Sequence, residues 1–207
     1  MPLPLKHFYM IRHGQTEANE KRIMAGNTET ALTKLGRQQA DKARRIIEQL
    51  EIKPVAIFHS HLCRARDTAH IINTNLNLPL FEDKNLGEKH CGIHEGAPYE
   101  ACLDEFLKWI DIEGGETAKE FFQRVKTGKT NALERFNEPV LIACHGGVMR
   151  AFAALYEKES STNFKNAHLY EFIPNPKNPS FPWIIFEYDL DESTGEIIRT
   201  KSKNYDI

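Results

Sequence analysis

The stretch "PVLIACHGGVMRAFAALYE", residues 139–157, contains an apolar run, a polar corner and a helical pattern in immediate succession. The run at 139–145 is apolar at successive positions, without the alternation of a strand that has one face in water. Such a run is typical of a central strand in a sheet that is covered by helices on both sides. After Gly146 and Gly147 the apolar residues recur at helical spacing. The stretch therefore predicts a strand, a tight turn and a helix.

Two further segments of the chain repeat this unit. Apolar runs at 5–11 and 54–60 predict buried strands, and helices are predicted after them over 32–50 and 62–76. Thr33 is placed to cap the first helix. The residues expected on the buried faces are Leu35, Ala43, Ile46, Ile47, Leu50, Leu62, Ala65, Ala69, Ile72 and Leu76. This threefold alternation predicts an α/β fold, a three-layer sandwich with a mostly parallel, doubly wound central sheet and helices on both faces.

The rest of the chain departs from this alternation in two places. Residues 81–117 are rich in glycine and predict a small lid insertion over the sheet edge, with a short helix after Pro98. A further helix is expected over about 117–136, and the C-terminal part predicts a β-hairpin over about 183–203. We expect residues 1–207 to form one domain.

Composition excludes several classes of partner. The chain has 207 residues, 27 basic and 29 acidic side chains and a net charge of −2, so no surface for nucleic acid is indicated. No window approaches the roughly 20 apolar residues that cross a membrane, and the N-terminal segment lacks the apolar core of a signal peptide. We therefore expect a cytoplasmic protein that binds a small molecule. The four cysteines, which lack a CxxC spacing, are expected to be free and mostly buried: Cys63, Cys91, Cys102 and Cys144.

Polar residues follow each of the three predicted core strands. The first strand ends in Arg12 and His13, the second leads into Arg64, and the third ends in His145 and Gly146. The carboxyl ends of parallel strands meet at one edge of a sheet, so these residues should converge there. Arginine side chains match phosphate oxygens, and the glycines allow backbone N–H groups to approach an anion. The pattern predicts a phosphate pocket.

Six segments in fixed order resemble the histidine phosphatase superfamily, which includes cofactor-dependent phosphoglycerate mutases and many phosphomonoesterases. They are "RHGQTEAN", "LTKLGRQQA", "HSHLCRARDTA", "LGEKHCGIHEG", "GGET" with "RV" shortly after, and "CHGGVMRA". The resemblance covers most of residues 7–173 and implies the α/β sandwich of that family, with no metal and no other cofactor. The chain departs from the family pattern at Ala25, where many members have a polar residue, at "TALT" and at His61.

The resemblance implies a role for seven residues. His13 matches the nucleophile that becomes phosphorylated, and Glu88 matches the proton donor. The residues that match the phosphoryl-binding set are Arg12, Asn19, Arg64, His145 and the backbone of Gly146. Glu95 lies in the same glycine-rich segment and is left open as an alternative proton donor.

Other interpretations of these residues are possible. Arg64 alone would be read as a solvated helix residue that pairs with Asp67. Cys144 beside His145 could be read as a nucleophile pair, although a buried packing thiol fits its apolar run better. The residues that invite a metal interpretation are His59, His61, His90, Cys91 and His94, but they lack a complete set of ligands at a recognisable spacing.

The predicted function is that of a metal-independent phosphatase for small phosphomonoesters, acting through a phosphohistidine. The alternatives are a cofactor-dependent phosphoglycerate mutase and a non-catalytic phosphate-binding module on the same fold. The segment "YEACLDEFLKWIDIEGGE" of the insertion is acidic, with Lys108 its one basic residue. We therefore expect a small phosphorylated metabolite whose remainder is neutral, apolar or cationic. The sequence makes no prediction of the oligomeric state.

Overall fold

A seven-stranded sheet forms the centre of the computed structural model, which describes residues 3–160 and 164–205. In chain order the strands are β1 (Phe8–Arg12), β2 (Ile57–His59), β3 (Leu80–Glu82), β4 (Leu141–Cys144), β5 (Leu169–Pro174), β6 (Trp183–Leu190) and β7 (Ile197–Lys201). Their spatial order is β3-β2-β4-β1-β5-β6-β7. The first four in that order are parallel, and β5, β6 and β7 pair antiparallel. The outermost residues of the domain predicted over 1–207 lie outside the described part.

Helices cover both faces of this sheet. They are α1 (Glu17–Glu20), α2 (Lys34–Gln49), α3 (Cys63–Ile72), α4 (Tyr99–Leu107), α5 (Ala118–Arg135) and α6 (Gly146–Ala154). Successive side chains of β1 point to opposite faces, so Phe8 and Met10 join the core beneath α5 and α6, while Tyr9 and Ile11 join the core beneath α2 and α3. The predicted three-layer, doubly wound α/β fold is confirmed.

Helix α2 begins as the sequence predicts, and four of the five residues expected on its buried face are buried: Ala43, Ile46, Ile47 and Leu50. The Thr33 hydroxyl accepts a hydrogen bond from the N–H of Gly36 at 3.0 Å and caps the helix. The expectation that Leu35 is buried was wrong, because its side chain is 47% exposed. The buried face follows Gly36 and Ala40 at helical spacing, and Leu35 is rotated about 100° from Gly36.

Strand β3 was not predicted, and the expected start of the insertion at 81 lies inside it. This edge strand has three residues and pairs only with β2, so it carries no alternation long enough to recognise. Helix α3 ends at Ile72, before the predicted end at 76, because the Asn73 side chain pairs with the backbone of Leu78.

The remaining predicted elements are present. Helix α4 follows Pro98, and β6 and β7 form the antiparallel hairpin around a turn closed by Asp191 and Glu196. All four cysteines are free, as expected, and three of them are buried. Across residues 3–160 and 164–205, no helix combines the length and apolar character that crossing a membrane requires.

Candidate active site

Two histidines meet at the carboxyl ends of β1 and β4. His13 directly follows β1, and His145 directly follows β4. Because these strands are parallel neighbours, both residues lie at the same edge of the sheet. The N–H of His13 donates to the carbonyl of Cys144 at 3.0 Å, and the centres of the two imidazole rings are 5.2 Å apart. The sheet therefore brings the two predicted motifs together.

The protonation of His13 follows from its surroundings. Its Nδ1 lies 2.8 Å from the carbonyl oxygen of Gly14, which can only accept, so Nδ1 carries the proton and Nε2 keeps its lone pair. Burial, and then the charges of Arg64 and Arg12, hold the pKa of His13 well below its usual value of 6.5. A neutral imidazole with a free Nε2 lone pair is a nucleophile near neutral pH.

His145 has the opposite tautomer and acts as a donor. Nε of Arg64 donates to Nδ1 of His145 at 3.3 Å, so Nε2 of the neutral ring carries the proton. Within the described part of the chain, Nε2 of His145 and Nε of Arg12 are buried N–H groups without a hydrogen-bond partner. Such groups cost free energy until an acceptor binds them. The pair is therefore suited to bind oxygen atoms.

Arg64 is fixed by the backbone of a neighbouring loop. Its Nη1 donates to Thr28 at 2.8 Å and its Nη2 to Gly26 at 2.7 Å, and the side chain is 2% exposed. The interpretation as a solvated partner of Asp67 was wrong, because Asp67 pairs with Arg66. A buried guanidinium held by carbonyls keeps its charge and has N–H groups left for an anion.

A cavity of about 80 Å³ is lined by six of the seven predicted site residues, and the fully buried His145 is the one outside its lining. The cavity has room for a small ion, since a water molecule occupies about 30 Å³. Its walls contain three arginines, Arg12, Arg64 and Arg150, and one carboxylate, Glu88, so positive charge is in excess. The described residues of the lining are Arg12, His13, Thr16, Asn19, Ile23, Met24, Ala25, Gly26, Arg64, Glu88, Tyr99, Phe106, Gly146, Gly147 and Arg150. The volume and the excess positive charge of this cavity favour a small anion.

Glu88 reaches the cavity beside the start of α6. Its Oε2 accepts from the N–H of Gly147 at 2.9 Å, and its Oε1 accepts from the N–H of Lys89 at 3.0 Å. Glu95 points elsewhere, and its Oε1 accepts from the N–H groups of Asn27 and Cys91. Of the two alternatives, Glu88 is the one that lines the cavity with His13.

Asn19 is held by two contacts that orient its amide. Its Oδ1 accepts from the N–H of Thr16 at 3.2 Å and from Nδ2 of Asn166 at 3.3 Å. With the oxygen engaged, the Asn19 NH₂ group is the part left to donate to a ligand. Asn166 also donates to the carbonyl of His13 at 3.0 Å, which ties the backbone of His13 to the segment before β5. Sequence reasoning missed Asn166, because nothing local marks it.

Arg150 is a second residue that sequence reasoning missed. It donates to the carbonyls of Phe106 and Leu107 at the end of α4, and its guanidinium lies 4.4 Å from the centre of the Trp109 ring. The signal was present in "CHGGVMRA", since Arg150 is one helical turn beyond Gly146 and so lies on the same face. Arg150 therefore joins the insertion to the wall of the cavity.

The residues that invited a metal interpretation do not form a cluster. Nδ1 of His59 pairs with the carbonyl of Ser60, and Nε2 of His94 lies 2.5 Å from Oε2 of Glu105. Among residues 3–160 and 164–205, no three side chains of His, Cys, Asp or Glu are arranged to hold a metal ion.

The family model described as the histidine phosphatase superfamily (branch 1) matches residues 8–179. The chain belongs to the histidine phosphatase superfamily. It is 33% identical over 175 residues to a putative phosphoserine phosphatase 2 of Hydrogenobacter thermophilus, covering 80% of this chain and 85% of that protein. It is also 31% identical over 195 residues to an uncharacterized phosphatase PhoE of Bacillus subtilis, covering 92% and 97% respectively.

Solved structures of this superfamily share the fold. A mycobacterial glucosyl-3-phosphoglycerate phosphatase in complex with VO₃ superposes with a TM-score of 0.71 at 26% identity. The superposition covers 87% of this chain and 97% of that one. The resemblance found in the sequence is thus confirmed, and the protein is an enzyme of the histidine phosphatase type.

Proposed function

We propose that the protein hydrolyses small phosphomonoesters through a phosphohistidine on Nε2 of His13, without a metal ion. The observation that carries the proposal is the neutral His13 with a free Nε2 lone pair, placed in a cavity with excess positive charge. Two buried N–H donors without a partner belong to the residues next to it, Arg12 in the cavity lining and His145, whose ring centre is 5.2 Å from that of His13. In this proposal the residues that hold the phosphoryl oxygens are Arg12, Asn19, Arg64, His145 and the backbone N–H of Gly146. The four free thiols support a reducing compartment, and we propose the cytoplasm.

The first half-reaction forms the phosphohistidine. The Nε2 lone pair of His13 forms the N–P bond while the bond from phosphorus to the ester oxygen breaks. Glu88, as a carboxylic acid, gives its proton to the departing oxygen. A bound phosphoryl group places negative charge beside Glu88, which favours this protonated form. Nε–H of Arg12 and Nε2–H of His145 stabilise the charge that develops on the phosphoryl oxygens.

The second half-reaction releases phosphate. The Glu88 carboxylate takes a proton from a water molecule, the water oxygen forms a bond to phosphorus, and the N–P bond breaks with its electron pair returning to Nε2. Atoms and charge balance, and both residues return to their starting states. A mutase would instead keep the phosphoryl group and exclude water at this stage.

The apolar residues of the cavity lining support a substrate class. Ile23, Met24, Tyr99 and Phe106 form an apolar and aromatic side of the cavity. This supports a small phosphorylated metabolite with a neutral, apolar or cationic remainder, as the acidic insertion also suggests. The relatives are named for phosphoserine and for glucosyl-3-phosphoglycerate, which are small phosphorylated compounds.

The test is phosphate release from a panel of phosphomonoesters with a chelator present. The panel contains aryl phosphates, phosphoamino acids, sugar phosphates and phosphoglycerates. His13→Ala is compared with His70→Ala, which removes an exposed histidine of α3. Turnover that survives chelation, is lost in His13→Ala and is retained in His70→Ala supports the proposal. Phosphoryl migration without release supports the mutase, and phosphate binding with neither reaction supports the non-catalytic module. Highest kcat/KM on bisphosphorylated sugars would overturn the substrate class.

A further inference from the structure

We propose that Arg124 is a positioning residue that fixes Glu88 for proton transfer. The proposal rests on the proposed function, because it concerns the proton donor named there. Glu88 lies between two short 3₁₀ turns, Lys84–Leu86 and Gly92–His94, and belongs to no strand or helix. Its backbone therefore lacks the hydrogen bonds that regular structure would supply and depends on other parts of the chain for its position.

A single guanidinium supplies these hydrogen bonds. Nη1 of Arg124 donates to the carbonyls of Asn85 at 3.1 Å and Gly87 at 2.9 Å, and Nη2 donates to the carbonyl of Glu88 at 3.1 Å. The loop over 84–88 is thereby tied to the second turn of α5. Arginine presents five N–H groups in one plane, and no other side chain can reach these carbonyls together.

Glu116 holds the guanidinium in place from the other side. Its two carboxylate oxygens accept from Nε of Arg124 at 2.8 Å and from Nη2 at 2.7 Å. The backbone of Glu116 also pairs with the Glu88 loop, since its N–H donates to the carbonyl of His90 at 2.9 Å. Arg124 and Glu116 thus form a bidentate pair that is built into the same loop.

Arg124 itself lies outside the phosphate cavity. It lines a separate open cavity of about 1020 Å³, together with Asn85 and Glu116. Glu88 lines both cavities and is the residue that connects them. Arg124 therefore acts on the reaction only through the position of the Glu88 backbone, and through that on the carboxyl group.

This role predicts a loss that depends on the leaving group. An alkyl oxygen needs a proton as it departs, whereas the 4-nitrophenyl oxygen leaves without one. In Arg124→Gln we expect kcat/KM for an alkyl phosphate to fall about 10- to 100-fold, which is part of the roughly 10²- to 10⁴-fold that acid–base catalysis contributes. For 4-nitrophenyl phosphate we expect kcat/KM to fall less than about threefold. This parameter reports the first half-reaction, in which the 4-nitrophenyl oxygen needs no proton from Glu88.

Two further variants make the test specific. Lys126→Gln removes a positive charge from the same helix, and within the described residues Lys126 has no hydrogen bond to the 84–88 loop, so both rates should be unchanged. Arg124→Lys keeps the charge but loses the planar arrangement, so an intermediate loss is expected. An equal loss on both substrates, or no loss on either, overturns the proposal. If Arg124→Gln does not fold, Arg124→Lys and Glu116→Gln give the same comparison.

Glu88→Gln separates this proposal from the proposed function. If Glu88→Gln shows no leaving-group dependence, the donor role of Glu88 fails, and the role of Arg124 fails with it. If Glu88→Gln shows the dependence and Arg124→Gln does not, only the role of Arg124 is overturned. In the double variant, Arg124→Gln should add no more than about twofold to the alkyl loss, because the donor is already absent.

Discussion

The α-carbon of Gly147 lies against the carboxylate of Glu88, and a Cβ atom at Gly147 would overlap Oε1. A side chain there would push the carboxyl group out of the cavity. At Gly146 an added Cβ would have its nearest neighbour, Nε of Arg12, at 3.8 Å, an ordinary contact distance. A side chain at Gly147 would therefore collide with Glu88, whereas a methyl group at Gly146 has room.

Gly147→Ala should consequently lower kcat/KM more than Gly146→Ala. We expect a loss of about 100-fold for Gly147→Ala on an alkyl phosphate, the scale of acid–base catalysis. Steady-state kinetics on both variants, with circular dichroism to check folding, gives the comparison. Equal losses would show that the Gly147–Glu88 contact has no special effect on the reaction.

In the proposed reaction, the pKa of His13 sets the lowest pH at which the enzyme is active. Burial and the charges of Arg64 and Arg12 lower this pKa well below 6.5, so the imidazole stays neutral as the pH falls through 6.5. An NMR titration of the His13 ring, assigned with His13→Ala, should show its midpoint well below 6.5 in the phosphate-free enzyme. A midpoint at or above 6.5 would mean that burial and the arginine charges do not lower the pKa of the ring.

Lys129 should make the protein more stable as the pH rises. Its amine is buried 4.1 Å from the centre of the Phe152 ring, and burial lowers its pKa from 10.5 to about 7. Between these values the unfolded chain binds more protons than the folded one, so stability increases with pH across that window. Lys129→Met removes this dependence and should be more stable at pH 8, by up to about 3 kcal/mol.

Urea denaturation of both proteins at several values between pH 7 and 10 measures this effect. The advantage of Lys129→Met should shrink toward pH 10, because the amine of the unfolded chain begins to lose its proton as the pH approaches 10.5. If Lys129→Met is less stable than the parent at every pH, the buried amine makes interactions in the core that offset the cost of its burial.

Glu171 should make stability depend on pH in the acid range. It is buried with His7, Tyr188 and Arg199 as partners, and hydrogen bonds from these side chains, with the Arg199 charge, lower its pKa from 4.5 to about 2. Its stabilising contribution is complete above about 4.5 and is lost as the pH falls toward 2. Glu171→Gln should cost about 2 kcal/mol at pH 7.

The measurement is denaturation at pH 7 and at pH 3. Glu171→Gln should differ less from the parent at pH 3, since part of the contribution is already lost there. Glu192→Gln, which removes an exposed carboxylate, serves as the comparison and should change little at either pH. A larger difference in the free energy of unfolding at pH 3 than at pH 7 would mean that folding does not lower the pKa of Glu171.

Much of the fold and of the candidate site could be predicted because it depends on patterns within short segments of the sequence. The apolar runs mark β1, β2 and β4, and each is followed within a few residues by the polar side chains that the parallel sheet brings together. Arg150 and Asn166 were not named as site residues, and Arg124 appeared only within the "RV" segment, because their contacts join segments distant in sequence, such as Arg150 with Phe106. Strand β3 is too short to show an alternation of apolar residues. Leu35 precedes Gly36, the first buried residue of α2, and therefore points away from the buried face.

The unpaired N–H groups of Arg12 and His145 have one more consequence. In the proposed reaction they bind the oxygens of the phosphoryl group, and inorganic phosphate presents the same oxygens after the ester is gone. The charged and N–H groups around the cavity of about 80 Å³ would contact this common part in the ester and in the free ion alike. The enzyme should therefore be inhibited competitively by its own product, and its rate in the cell would depend on the free phosphate concentration as well as on the supply of ester.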